Sequence, residues 1–179
     1  MKGFKLPETF LTERIECRRH RREEAEEMFY AYASKPAVTQ FLIWPTHACI
    51  EDTRRYIRYA AARWDSGLEF AWTIRLKPRE RLIGSIGLVK APGELQVGYV
   101  FSPTVWGLGL AGEALGGLLD FTKGRMVEPI VSYVHPENLA SIRVLENAGF
   151  SQITGESAAF IFPNLDGRAH TVLKFRLNA

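Results

Sequence analysis

The run Val105-Trp106-Gly107-Leu108-Gly109-Leu110-Ala111-Gly112-Glu113-Ala114 constrains this chain more than any other, because it sets three glycines and Ala111 between a strand-like and a helix-like segment. Glycine lets the backbone turn sharply and approach a ligand closely. The unpaired N–H groups at the head of the following helix add about half a positive charge. The run therefore reads as a cradle for an anion, a phosphate first.

Gly107, Gly109 and Gly112 also satisfy the G-x-G-x-x-G spacing of dinucleotide-binding folds. Such a fold needs its first glycine directly after an apolar strand, and an acidic residue about 20 positions on, at the end of the next strand. Here the apolar segment 97–101 is followed by Ser102-Pro103-Thr104-Val105-Trp106 before any glycine, and the nearest acid, Glu128, opens the next strand instead of closing it. The nucleotide phosphate-loop ending in Gly-Lys-Ser/Thr is missing as well.

A chain of 179 residues with 46% hydrophobic content can bury one real core, so one domain over residues 1–179 is expected. A net charge of +3 neither demands nor excludes an anionic partner. The basic cluster Arg18-Arg19-His20-Arg21-Arg22 reads as the solvated end of a strand or as a contact for an acidic substrate or RNA. No aromatic-interleaved basic surface accompanies it, so direct nucleic-acid binding is not expected. Cys17 and Cys49 are too few for a disulfide framework and lack zinc-site spacing; both are expected to be reduced, with no metal. Residues 1–8 lack a signal-like apolar stretch, and no 18-residue apolar run occurs elsewhere. The default expectation is a cytoplasmic protein without a membrane contact.

Periodicity predicts a strand at 11–18, a helix at 23–32 ended by Pro36, and a helix at 50–64 with Thr53, Ile57, Ala60 and Trp64 on one face. The apolar connection 40–47, with Phe41, Trp44 and His47, is either a packed loop or a wall of a substrate site. Strands at 69–76, 81–89 and 95–101 form an antiparallel meander. A helix at 112–123 and a strand at 129–134 follow; the helix between them makes this strand parallel to 95–101. A helix at 138–148 with Gly149 as its C-cap, and a hairpin of 157–162 with 169–177, complete the chain.

Two stretches carry a family resemblance. Gln96-Val-Gly-Tyr-Val-Phe-Ser-Pro-Thr-Val-Trp-Gly-Leu-Gly-Leu-Ala-Gly-Glu-Ala114 and His135-Pro-Glu-Asn-Leu-Ala-Ser-Ile-Arg-Val-Leu-Glu-Asn-Ala-Gly-Phe150, in this order, resemble the GNAT N-acetyltransferases, most closely the RimJ/RimL-like branch. The resemblance implies an α+β fold: a mixed, mostly antiparallel sheet of about seven strands flanked by about four helices, with two splayed parallel strands forming an acetyl-CoA cleft. It further implies that backbone groups of Tyr99, Val100 and Phe101 bond the pantetheine arm, and that the amides of Gly107, Leu108, Gly109, Leu110, Ala111 and Gly112 hold the pyrophosphate. Asn138 is the family position near the pantetheine arm, and Arg143 is placed to reach a phosphate of the nucleotide. Ser141, one turn beyond Asn138 on the same helix face, is the choice for protonating the leaving thiolate. Gly98 marks a close backbone approach, either by the ligand or by a neighbouring strand.

The base is less legible. The tyrosine that many relatives carry on the last helix is Leu145 here, and the glutamate of this branch is Gln96, which takes no proton at neutral pH. Glu94 and His135 remain as bases acting through water. An α-amine of pKa ~7.8 is roughly a tenth neutral at pH 7, whereas lysine near ~10.4 is neutral in less than about a thousandth of molecules, a gap worth roughly 3.5 kcal/mol. A site without a strong base suits an N-terminal α-amine, in keeping with ribosomal-protein N-termini as acceptors in this branch. Phe41 and Trp44 are candidates for the acceptor wall. A non-catalytic acyl-CoA sensor and an acetyltransferase of small amines stay open, as does a monomeric or homodimeric state.

Overall fold

The computed structural model describes residues 6–124 and 126–178. The first residues of the stretch read for a leader, 1–5, lie outside them. Eight strands form one sheet in the order β1-β2-β3-β4-β5-β6-β8-β7: β1 Thr9–Leu11, β2 Ile15–Arg19, β3 Glu69–Leu76, β4 Arg81–Ala91, β5 Glu94–Phe101, β6 Ile130–Val134, β7 Phe150–Ile161 and β8 Ala169–Leu177. Every neighbouring pair is antiparallel except β5 with β6. The α-helices are α1 Ala25–Met28, α2 Pro36–Thr39, α3 Ile50–Asp65, α4 Leu110–Thr122 and α5 Leu139–Asn147.

Among the boundaries that differ from the sequence expectation, four have a clear local reason. The strand expected at 11–18 is a hairpin, because the Thr12 N–H turns back onto the Ile15 carbonyl at 3.0 Å. This raises the strand number from seven to eight. The helix expected at 23–32 begins in a tight turn, Arg22–Glu24, and passes through α1 into a π-helical turn, Phe29–Ala33. Pro36 opens α2 instead of ending a helix, since its missing N–H costs nothing at a first helical position. Strand β7 starts at Phe150, seven residues before the expected start at 157. A register shift between Ile153 and Ala158, with Gly155 at φ 87°, breaks the alternation by which a strand is recognised.

The core lies on both sheet faces. On β5, Leu95, Val97 and Phe101 join a large cluster with Leu115 and Leu118 of α4 and Leu145 of α5. Val100 packs on a smaller one with Met28, Tyr32, Ile57 and Leu82. Alternation along the strand explains the split, and each fully buried Leu, Ile or Phe contributes roughly 1.5–3 kcal/mol. These two packed faces hold β5 rigid, and β5 is the strand that frames the site.

Candidate active site

Strands β5 and β6 pair only at Leu95 with Ile130 and Gln96 with Val131. The Ser132 hydroxyl donates to the Val97 carbonyl at 3.0 Å, the last link before the strands part. Beyond Val97 the β4 side of β5 stays paired through Phe101. Backbone groups alternate sides along a strand. Leu95 N–H reaches the Pro129 carbonyl at 2.9 Å, so the odd-numbered residues of β5 face β6. Tyr99 and Phe101 therefore direct backbone groups into the gap, whereas Val100 directs its own toward Ser85 of β4. The Phe101 carbonyl is already bonded by the Trp106 indole at 2.9 Å. A side chain at Gly98 would meet nothing within 4 Å, so the space beside it is open and no strand crosses there.

At the far end of β5 the chain turns through Gly107 and Gly109, at φ 76° and 75°, where any other residue would be strained. Gly109 caps α4, and the first bond from the helix runs from Glu113 N–H to the Gly109 carbonyl at 3.1 Å. The N–H groups of Leu110, Ala111 and Gly112 thus have no acceptor within the helix. Leu108 stands apart from the expected set, since its N–H turns back to the Val105 carbonyl at 3.4 Å. The loop is strapped by Arg14, which donates to the Leu108 carbonyl at 2.9 Å and pairs with Glu113 at 2.6 Å. Burial acts to raise the Glu113 carboxyl, but hydrogen bonds from Thr12 and Arg14 hold it below the usual carboxylate range.

Helix α5 faces the gap from the other side. Asn138 caps it by accepting the Ser141 N–H at 3.2 Å, which leaves the Asn138 amide nitrogen free of this task. Ser141 Oγ lies 2.9 Å from the Tyr99 phenol oxygen, and the phenol also donates to the Ser141 carbonyl at 3.2 Å. Burial pushes Tyr99 up to about 12, against the opposing hydrogen bond from Ser141. The phenol is a donor at neutral pH. Arg143 is exposed and lies roughly 200° around the helix from Ser141, so it shares the helix but not the face.

The two candidate bases are engaged elsewhere. Glu94 accepts from Gln96 and Tyr133, both at 2.9 Å, and pairs with Lys174 at 2.9 Å. Burial acts to raise it, yet these donors and the Lys174 charge hold it below the carboxylate range. It sits at the closed end of the gap, roughly 16 Å down β5 from Tyr99. His135 is buried, with both ring nitrogens bonded: Nδ1 accepts Glu137 N–H at 3.2 Å, and Nε2 lies 3.2 Å from His170 Nδ1. Glu94 thus spends three acceptor sites at the closed end, and both His135 nitrogens are engaged.

Phe41 stacks on His135 at 4.9 Å. Trp44 instead packs on the smaller core cluster. Their connection is held by Asn164 at the tip of the β7–β8 hairpin, which bonds Thr46 N–H, the Thr39 carbonyl and the Trp44 carbonyl, each at 2.8 Å. Sequence reasoning missed Asn164, which reads as an ordinary turn residue in Pro163-Asn164-Leu165-Asp166-Gly167. It also missed the Tyr99 side chain. In the basic cluster, Arg18 pairs with Glu24, Arg19 with Glu8 and Asp65, and His20 is buried. Among the described residues no group of three or more His, Cys, Asp or Glu could hold a metal ion, and no helix is long and apolar enough to cross a membrane.

A sequence profile described as an acetyltransferase (GNAT) domain matches residues 14–151. The chain is 28% identical over 149 residues to the uncharacterized N-acetyltransferase p20 of Bacillus licheniformis, covering 81% of this chain and 83% of that protein. Its fold is similar to that of RimL, a ribosomal alpha-N-protein acetyltransferase in complex with coenzyme A, at TM-score 0.78 and 18% identity, covering 92% of this chain and 94% of that one. It is also similar to the microcin self-immunity acetyltransferase MccE in complex with acetyl-CoA and AMP, at TM-score 0.82 and 15% identity over 94% of each chain. With the glycine turn, the splayed pair and the profile in agreement, the chain belongs to the GNAT acetyltransferases.

Proposed function

We propose that the protein moves an acetyl group from acetyl-CoA to a primary amine, with the N-terminal α-amine of a protein or peptide as the acceptor. The observation that carries this reading is the gap beyond Val97, which runs from the Ser141–Tyr99 pair to the unpaired amides at the head of α4. The residues present fit an acyl-CoA. The Tyr99 and Phe101 N–H groups face the gap where an extended arm would lie, and the amides of Leu110, Ala111 and Gly112 suit a diphosphate. When bound, the thioester supplies the activated acyl group.

The chain's own residues then have distinct tasks. Backbone N–H groups of Tyr99 and Phe101 offer donors to an extended ligand and to a developing oxyanion. With the one phenol hydrogen of Tyr99, kept on by burial, turned to Ser141 Oγ instead of to the Ser141 carbonyl, the serine's own proton is left for a departing thiolate. Neither candidate base is free: Glu94 is tied by Gln96, Tyr133 and Lys174, and His135 by the Glu137 N–H and His170. An amine already partly neutral at pH 7 matches such a site better than lysine. RimL's action on a ribosomal-protein α-amine supports the same class.

Thiol release from acetyl-CoA, assayed with peptides bearing free α-amines, lysine peptides blocked at the N-terminus, and small amines, tests the proposal. Turnover with the free α-amine peptides is the expected result. Preference for blocked lysine peptides or for small amines overturns the acceptor class. Binding of coenzyme A with no acceptor modified overturns the enzyme reading in favour of an acyl-CoA sensor.

A further inference from the structure

Where β6 ends, four rings from different parts of the chain converge. His135 follows Val134 directly, and extending the Leu95–Ile130 register sets it level with Val100 across the mouth of the gap. Phe41 stacks on its face, and Phe162 meets it edge-on at 5.0 Å. His170 of β8 completes the group, with Asp166 beyond it in the hairpin tip.

The hydrogen bonds run in one direction. A backbone N–H can only donate, so Glu137 N–H makes His135 Nδ1 an acceptor. Neutral His135 then carries its hydrogen on Nε2 and donates to His170 Nδ1. Neutral His170 in turn carries its hydrogen on Nε2 and donates to Asp166 Oδ1 at 2.8 Å. The His135 carbonyl also accepts Asn138 N–H at 2.9 Å, which joins the chain to the cap of α5. We infer that His135 and His170, anchored on Asp166, are positioning residues that hold the acceptor mouth in shape through this one-way chain, which persists only while both imidazoles are neutral.

A second proton on His135 would set N–H against the Glu137 N–H; one on His170 Nδ1 would set N–H against His135 Nε2–H. The ionisable groups around His135 are Glu137 at the entry to α5 and His170 on β8, with Asp166 and Arg168 beyond His170. Phe41 and Phe162 contribute only rings. Burial lowers the His135 imidazole below its usual range, with Glu137 opposing and His170 reinforcing. His135 is therefore neutral at neutral pH, and the chain is lost when it gains a proton as pH falls.

The kinetic half of the test rests on the acetyltransferase reading; the spectroscopic half does not. In 15N-histidine-labelled protein at pH 7.5, long-range 1H–15N spectra are expected to show both residues as Nε2–H tautomers. An Nδ1–H tautomer at either one overturns the chain. In kinetics with a free α-amine peptide, His135→Gln keeps an amide donor near the Nε2 position but cannot gain a proton. The ratio of wild-type to His135→Gln acceptor KM cancels the ionisation of the peptide itself. It is expected to be near one at pH 7.5 and to rise roughly two- to tenfold by pH 5.5, the size of one neutral hydrogen bond, with the acetyl-CoA KM unchanged. His170→Ala should raise the acceptor KM at every pH. A constant ratio, or a change confined to kcat or to the acetyl-CoA KM, overturns the positioning role. If no amine is acetylated at all, the proposed function falls, and the tautomers still decide the chain.

Discussion

Gly112 and the Tyr99–Ser141 pair are the positions at which single atoms decide most. Gly112 lies in the first turn of α4 with ordinary helical backbone, and a Cβ there meets nothing within 4 Å. Gly112→Glu should therefore keep or slightly raise stability, by up to about 1 kcal/mol, since glutamate favours both the helix and its N-terminus. It should weaken coenzyme A binding by roughly a hundredfold, about 2.7 kcal/mol, by placing a carboxylate where a diphosphate would sit. Calorimetry on a variant that melts no lower than the wild type checks this. Tyr99→Phe and Ser141→Ala should each lower kcat by roughly ten- to a hundredfold with coenzyme A affinity held, and the double variant should lose little more than the worse single one. Additive losses in that cycle would mean that the two hydroxyls act separately. The role of the Tyr99 side chain was not legible beforehand, because its partner lies 42 residues away on another element. Asn138 was singled out only by the family resemblance, spacing then placed Ser141 on its helix face, and the two meet at the start of α5.

At the level of elements, the site depends on how loops are tied to the sheet. Asn164 joins the β7–β8 tip to the connection between α2 and α3 through three bonds of 2.8 Å to backbone groups. Asn164→Ala should lower unfolding stability by about 2 kcal/mol, because it leaves partly buried carbonyls and an N–H unsatisfied. It should also raise the acceptor KM more than the acetyl-CoA KM. Urea unfolding and two-substrate kinetics measure the two effects. The long strands β3, β4, β5 and β8 were legible because turn residues bound them, Lys77-Pro78-Arg79-Glu80, Ala91-Pro92-Gly93 and Pro163 to Gly167, and the helix α3 because it keeps a helical period over its 16 residues. Strand β7 was read short because a bulge resets its alternation, and α4 was placed two residues late because Gly109 is its cap.

For the whole molecule, the response to acid follows from a buried polar cluster between the sheet and its helices. Thr73 donates to Glu24 at 2.8 Å, so its oxygen accepts the His20 Nδ1–H at 2.7 Å, and His20 Nε2 faces the Tyr56 and Ser85 hydroxyls at 3.4 Å. Burial lowers His20 to about 4. Because its folded value is depressed, the stabilisation it gives is complete above about 6.5 and is lost as pH falls toward 4, on the order of 3 kcal/mol. Urea unfolding at pH 7, 6 and 5 should show this slope, and His20→Gln should flatten it even where it lowers stability at pH 7. A wild-type slope near zero would mean that His20 is hydrated or already charged in the fold.

The sequence by itself determined what depends on neighbours along the chain. The glycines that turn before α4, the helix that makes β6 parallel to β5, and the glycine that stops α5 are all consequences of local backbone freedom and period. Only the tertiary structure decided which polar side chains meet across elements: Tyr99 with Ser141, Asn164 with the 39–46 connection, Arg14 with Glu113, His135 with His170. Those meetings depend on strand register and on which face each residue turns. A one-residue slip would reverse every face while leaving local propensity almost unchanged.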